Sequence, residues 1–413
     1  MKQEDNTKGC SRRQFLIAAG AAGVGSLLSG TAGAQKIDIP LLAQQSGDIR
    51  VPARPYGKSG RQVSILGLGG MFDIGANLLL LRQALQWGVT YWDTADCYEN
   101  GGSETGYGKY FAKYPQDREK IFLVSKSDDR DPGGMAQLLD RSLERLNTKY
   151  LDLYFIHGMK SIDELSDQTR KWVEKTKAEG KIRLFGFSTH RNMEELLQGA
   201  AKLGWIDGIM LTYNFRIMYT DAMQAAVEAC AKAGIGLTAM KSQAKESWYD
   251  FSQATKEGKA LAEQFKKKGW SEPQAKLKAV WQNPRIASIC SQMDSMQLLK
   301  SNVDAAVDPT PLTSQEMHLF QQYACATGGH YCTGCGQICE SALIAQIPVS
   351  SIMRYHMYCR SYGRPDWARA QFSALPATIR EQLAAMDYTA AEARCPQRMP
   401  IARLMKEALE AYT

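Results

Sequence analysis

Four polar residues between positions 93 and 157 would, if gathered, make a proton-transfer site: Asp93, Tyr98, Lys126 and His157. A phenol ionises near pKa 10 and is a poor acid at neutral pH. A Lys cation beside it favours the phenolate, and an Asp holds that cation in place. Tyr98 could then give its proton to a carbonyl oxygen that is becoming an alcohol. A neutral His157 would orient the carbonyl by a hydrogen bond. Taken singly, each residue also has a plain reading. A strand-end Lys or Asp is often a solvated terminus, and a lone His is often a satisfied core side chain.

A second set is made of sulfur. Cys332, Cys335 and Cys339 form a C-x2-C-x3-C run, and Cys395-Pro396 follows much later. Bacterial ferredoxins space their ligands C-x2-C-x2-C-x3-C-P, the fourth Cys ligating the other cluster of a pair. By that crossing rule the run supplies three ligands, and its own fourth position falls at Leu343 or Ile344. Cys395-Pro396 is the fourth position of a second motif whose Ala385, Tyr388 and Ala391 carry no sulfur. Together they make one complete [4Fe–4S] set. The step from Cys335 to Cys339 is longer than ferredoxin spacing. A structural zinc would also take four thiolates, and an oxidising compartment would permit a Cys332–Cys335 disulfide. Cys359 or Cys325 could stand in as a ligand. Cys97, Cys230 and Cys290 read as buried apolar residues.

Elements must position these groups. Short apolar runs at 63–68, 89–93, 121–126, 151–157, 182–187, 208–213, 236–241 and 286–290 alternate with amphipathic stretches such as 135–146, 164–178 and 221–233. Apolar strands without clean alternation suggest a parallel sheet buried on both faces. Eight such units in about 250 residues fit an α/β fold, the (β/α)8 TIM barrel. A doubly wound sheet would want a Gly-x-Gly-x-x-Gly turn, and Gly67-Leu68-Gly69-Gly70 is only a partial match. The four polar residues sit at or just after strand ends, where barrel chemistry collects. Segments 53–56 and 62–65 read as a hairpin that closes the barrel bottom. After about residue 311 the rhythm stops, and 350–358 and 377–391 read as helices of a mainly helical, ferredoxin-like extension. The predicted organisation is a leader over 1–34, a linker over 35–50, a barrel over 51–310 and an iron–sulfur domain over 311–413.

The joint pattern is specific. Asp93-Thr94-Ala95-x2-Tyr98, then Ser103-Glu104, Val124-Ser125-Lys126 and Phe155-Ile156-His157-Gly158 resembles the aldo/keto reductase superfamily across roughly residues 50–310. The resemblance implies the barrel, Asp93, Tyr98, Lys126 and His157 as a catalytic tetrad, Tyr98 as general acid/base, NADP(H) as usual cofactor and a small carbonyl or alcohol substrate. It implies a nucleotide site at Ser188, Thr189, Met210, Tyr213 and Asn302. Here the sequence departs from the family, with Thr189 where an Asn is usual and Met210 where a Gln is usual. Ser291-Gln292-Met293 offers no charge for a 2′-phosphate.

Ser11-Arg12-Arg13-Gln14-Phe15-Leu16, an apolar run over 17–28 and Ala32-Gly33-Ala34 have the order of a twin-arginine export signal. That route carries folded proteins, which suits a cofactor installed before export to the periplasm. The apolar run is shorter than the ~20 residues a membrane helix needs, so no membrane span is expected after cleavage. The barrel, the cysteines and the leader together are similar to a group of exported iron–sulfur proteins of aldo/keto reductase type. The 413-residue chain is 44% hydrophobic and 23% charged, as globular proteins are. Its net charge of +7 is dispersed, which argues against nucleic acid as a partner. The leading expectation is an exported oxidoreductase acting on a carbonyl or alcohol, whose cluster exchanges electrons with a redox partner protein. The alternatives are a nucleotide-dependent reductase with a structural cluster, and a non-catalytic ligand-binding barrel.

Overall fold

The computed structural model describes residues 49–243, 256–361 and 363–412. The leader and nearly all of the linker lie outside the described residues.

A two-stranded hairpin, β1 (Ala53–Pro55) and β2 (Gln62–Ser64), precedes a closed barrel of eight parallel strands. In order these are β3 (Leu66–Gly69), β4 (Tyr91–Asp93), β5 (Phe122–Ser127), β6 (Leu151–Ile156), β7 (Ile182–Thr189), β8 (Gly208–Thr212), β9 (Gly236–Met240) and β10 (Ile286–Gln292), with β10 pairing back to β3. The connecting helices are α1 (Leu78–Gln86), α2 (Gly102–Lys113), α3 (Pro132–Arg145), α4 (Asp167–Ala178), α5 (Met193–Leu203), α6 (Asp221–Lys232), α7 (Lys256–Lys267), α8 (Glu272–Trp281) and α9 (Met296–Val307). Local sequence starts several of them. Asp131 caps α3 ahead of Pro132, Ser166 caps α4, and Ser271 with Gln274 forms a capping box on α8.

Strand period decides where the chemistry goes, because alternate side chains share a face. Tyr91, Phe122, Val124, Leu153 and Phe155 pack inside the barrel, while Trp92 and Tyr154 pack outward under the helices. The next inward positions are Asp93 on β4, Lys126 on β5 and His157 just beyond β6. The bottom is plugged by Tyr56 from the hairpin turn, fully buried against Phe122 at 5.2 Å between ring centroids. Gly208 and Gly236 make this fit, since a Cβ at either would stand 2.5 or 2.4 Å from the Tyr56 ring and hydroxyl.

Beyond the barrel come α10 (Ser314–Ala326), the short α11 (Gly336–Cys339), α12 (Val349–Ser361), α13 (Pro365–Ser373), α14 (Ala377–Gln382), α15 (Thr389–Arg394) and α16 (Ile401–Tyr412). Phe320 and Tyr323 of α10, and then Tyr331, pack into the barrel's outer core; Phe215 lies 5.1 Å from Phe320. A second core begins at Cys339 and includes Ile352, Phe372 and Leu404. In packing terms the division therefore falls between Tyr331 and Cys339, later than the expected 310/311. The reason is that α10 completes the helical layer over β8 and α7.

Candidate active site

Lys126 Nζ donates to Asp93 Oδ2 at 2.7 Å, to the Thr94 carbonyl at 2.7 Å and to the Tyr98 hydroxyl at 3.4 Å. All three ammonium donors are thereby used. The pair with Asp93 is almost fully buried, at 1% and 3% side-chain exposure. Burial pushes the Asp93 carboxyl up, and the adjoining ammonium works against that. His157 stands edge-on to Tyr98, ring centroids 5.6 Å apart. The structure thus brings Asp93, Tyr98, Lys126 and His157 together at the carboxyl end of the barrel.

Two electrostatic expectations change. Burial pushes the Tyr98 phenol well above its usual range, and Asp93 adds to the rise. Lys126 was expected to draw it down, but desolvation outweighs that contact. Tyr98 is therefore a protonated phenol at neutral pH. Burial likewise lowers His157, with Asp128 acting in the opposite direction. Asp128 Oδ1 lies 2.8 Å from His157 Nδ1 and is itself held down at about 2, in part by that bond. A carboxylate there requires the proton on Nδ1. Neutral His157 then presents Nε2 as an acceptor, where the sequence suggested a donor to the carbonyl.

The loop bearing Tyr98 is tightly specified. Glu99, Asn100 and Gly101 all have positive φ. Buried Glu104 ties α2 to β5 through Ser125 Oγ at 2.6 Å, and Ser103 Oγ reaches the Gly70 carbonyl at 2.6 Å. Arg364 from the extension holds Glu99 at 2.7 Å and the Met71 carbonyl at 3.0 Å. One of the cysteines is not a core residue: Cys97 is exposed, its Sγ 3.6 Å from His157 Nδ1. Cys290 on β10 is partly buried and packs against the barrel's inner core, within electrostatic reach of Asp93. Cys230 is buried, as expected.

The five positions tied to a nucleotide behave unequally. Ser188 Oγ accepts from Gly158 N at 2.9 Å and keeps its hydroxyl hydrogen available. Asn302 donates to Ser291 Oγ at 3.1 Å, while its Oδ1 is buried with no hydrogen-bond partner. Thr189 Oγ1 shares its one proton between the Met159 and Arg191 carbonyls and accepts from Arg191 N at 3.3 Å. Met210 is buried inside the barrel, and Tyr213 turns into the helical layer, its hydroxyl held by Asn283 at 2.8 Å. Ser188 and Asn302 thus offer groups that fit a dinucleotide, and the other three do not.

Cys332, Cys335, Cys339 and Cys395 line one cavity, with Val349, Met353, Met399 and Ile401 as its apolar wall. Each thiol lies within electrostatic reach of the others. Burial first, then neighbouring thiols, pushes Cys332 and Cys335 up; burial, then Glu340 and the thiols, pushes Cys339 to about 12. Thiolates crowded in such a place need cationic charge between them. The nine cysteines among the described residues are free thiols, so no Cys332–Cys335 disulfide is present. The all-sulfur donor set in this apolar cavity fits an inorganic centre held by four thiolates, [4Fe–4S] or zinc. Cys395 Sγ also accepts from Met399 N at 3.5 Å, the kind of bond that tunes cluster potentials.

Several groups at the mouth went unnoticed in the sequence. His190, Lys241, Arg354 and Tyr358 meet there from β7, β9 and α12; Lys241 Nζ sits 4.1 Å from the Tyr358 ring centroid. Only Lys241 carried a signal, as a charge ending an apolar run.

Comparison with known proteins bears on the family and the barrel. The profile of the Aldo/keto reductase family matches residues 76–323. An uncharacterized oxidoreductase, YqkF of Bacillus subtilis (strain 168), is 28% identical over 302 residues, covering 65% of this chain and 95% of that protein. The methylglyoxal reductase YeaE of Escherichia coli (strain K12) is 36% identical over 163 residues, covering 38% of this chain and 53% of that protein. Among solved structures, aldo-keto reductase AKR11C1 from Bacillus halodurans (holo form) superposes with a TM-score of 0.55 at 25% identity, covering 66% of this chain and 96% of the other. An aldo-keto reductase from Klebsiella pneumoniae in complex with NADPH gives a TM-score of 0.56 at 23% identity, with 66% and 95% covered.

Proposed function

The chain belongs to the aldo/keto reductase family, and from that premise we propose that it is an exported oxidoreductase. In this reading it interconverts a small carbonyl compound and its alcohol, and one [4Fe–4S] cluster held by Cys332, Cys335, Cys339 and Cys395 exchanges electrons with a partner protein. The observation that carries the carbonyl chemistry is Lys126 Nζ bridging the Asp93 carboxylate and the Tyr98 hydroxyl.

In reduction, the carbonyl oxygen accepts the Tyr98 hydroxyl and gains its proton as negative charge develops there. Lys126 stabilises the phenolate left on Tyr98, and Asp93 keeps the ammonium in place. His157 Nε2, an acceptor, suits the hydroxyl of the alcohol product. In oxidation Tyr98 takes the proton back. When bound, NADP(H) supplies or removes hydride, and Ser188 and Asn302 are the residues that would hold it. When bound, the cluster supplies single electrons. NADP-binding relatives support the first, including the Klebsiella complex. The four-sulfur cavity supports the second.

Export rests on the order of residues in 1–34. Among the described residues no helix is long and apolar enough to cross a membrane. Tyr98→Phe tests the assignment. It removes the proton donor and keeps the ring, so carbonyl turnover should fall by roughly 10²–10⁴ with an unchanged circular dichroism spectrum. Unchanged turnover would refute the tetrad.

A further inference from the structure

The barrel mouth holds a second group of polar side chains that proton transfer at Tyr98 does not use. A small, partly open cavity lies between the ends of β7, β8 and β9 and the facing side of α12. His190, Thr212 and Lys241 line it from the barrel, Ser350 and Arg354 from the extension. Among the described residues that line it there is no carboxylate. Arg354 makes no ion pair among the described residues, and its Nε is buried there with no hydrogen-bond partner. Lys241 has φ +54°, a left-handed conformation that strains a non-glycine residue and tends to persist at ligand sites. That strain turns the chain out of β9 and delivers the ammonium to the cavity, against Tyr358.

Two cations facing one partly enclosed space repel each other more than they would in water. An anion between them removes that repulsion and satisfies the Arg354 fork, which matches a carboxylate or phosphate in geometry. His190 does not compete as a third cation. Burial, Lys241 and Arg354 hold it well below its ordinary range, so it serves as a neutral hydrogen-bonding group. The cavity also opens beside the tetrad, because His190 follows β7 and His157 follows β6, its paired neighbour in the barrel. Tyr358, hydrogen-bonded to Lys241, bears on the ionisation of Tyr98. His190 is within electrostatic reach of His157 and Lys126.

We propose that this cavity is the anion subsite of the reductase. Its substrate is an acidic carbonyl compound, an oxo acid or a phosphorylated aldehyde, whose anionic end is held by Arg354 and Lys241 while its carbonyl reaches Tyr98. The identity of the substrate rests on the carbonyl-reduction reading; the anion site does not. The extension then sets substrate class, because Arg354 comes from α12 and the barrel alone would present only Lys241.

Calorimetric titration of the full chain with succinate, inorganic phosphate and NADPH tests the site without turnover. The wild type should bind succinate or phosphate saturably. Arg354→Gln and Lys241→Gln should each weaken that binding at least about tenfold, as expected for one charge-assisted hydrogen bond. Circular dichroism verifies that each variant is folded, and two independent variants guard against one failing to fold. In turnover, Arg354→Gln should cut the preference for 4-oxobutanoate over butanal at least about tenfold, chiefly through KM. The proposal is overturned if the wild type binds neither anion, or if acid and neutral aldehyde lose equally. It is also overturned if only NADPH binding weakens, which would make the cavity a nucleotide phosphate site, or if the variants shift only the cluster's spectrum. Should Tyr98→Phe leave turnover intact, the carbonyl reading fails while the calorimetry still decides the anion site.

Discussion

At the scale of single residues the site works by opposing burial against charge. Tyr98 is kept protonated by desolvation, and in the proposed reaction Lys126 would act on the phenolate more than on the resting phenol. His157, with Nδ1 committed to Asp128, is a neutral acceptor. These assignments set the pH behaviour. Burial lowers His157, His190 and His356 in the folded chain, whereas an unfolded His titrates near 6.5. Between those values the unfolded chain binds more protons, so stability is full above about pH 6.5 and is lost as pH falls below it. A urea midpoint measured at pH 7.5 and at pH 5.5 should drop at the lower value; a midpoint that rises on acidification would contradict the buried neutral imidazoles. Asp93, Tyr98, Lys126 and His157 were legible in sequence because each ends or follows an apolar run. Their tautomers and pKa directions were not, since those depend on Asp128 and on burial that spacing does not report.

At the scale of elements, strand ends and one loop dock the extension onto the barrel. Gly334, at φ +84°, lies so close to β7 that a Cβ would stand 2.2 Å from the His190 carbonyl oxygen. Its own carbonyl accepts from Asn192 N at 3.0 Å. Arg191 pairs with Glu340 at 2.6 Å, and Glu340 also receives Ser350 N at 2.9 Å. The Cys332–Cys335 loop is thus clamped to the end of β7, and Cys332 borders both the thiol cavity and the cationic one. Gly334→Ala meets both a left-handed backbone penalty of roughly 1–2 kcal/mol and a backbone clash. It should lower the iron content of purified protein while the circular dichroism of the barrel persists. Full iron loading in that variant would argue against a clamped loop. The strands were legible because each is a buried apolar run. The docking was not, since it joins Arg191 to Glu340 across the whole distance between two motifs.

At the scale of the molecule, two candidate sites lie side by side. The barrel supplies Asp93, Tyr98, Lys126 and His157; the extension supplies Arg354, Tyr358 and four sulfurs in a cavity that shares Cys332 with the mouth. The sequence pointed to both halves through separate spacings, but placed their division at 310/311. It falls later in the packing, because Phe320 and Tyr323 complete the barrel's outer layer. Nothing in an amphipathic helix says which of two neighbouring cores it joins. The proposed export belongs to this scale too, since the proposed cluster would have to be built before a folded protein leaves the cell. Replacing Arg12 and Arg13 with Lys should keep the protein in the cytoplasm on fractionation; unchanged export would refute the twin-arginine reading.

Metal and sulfide analysis of anaerobically purified full-length protein, beside its Cys395→Ser variant, bears most directly on two centres in one chain. The expected result is about four iron and about four sulfide ions per wild-type chain, with a clear loss in the variant. One zinc per chain, or no metal at all, would contradict the account and leave a barrel reductase with a helical extension.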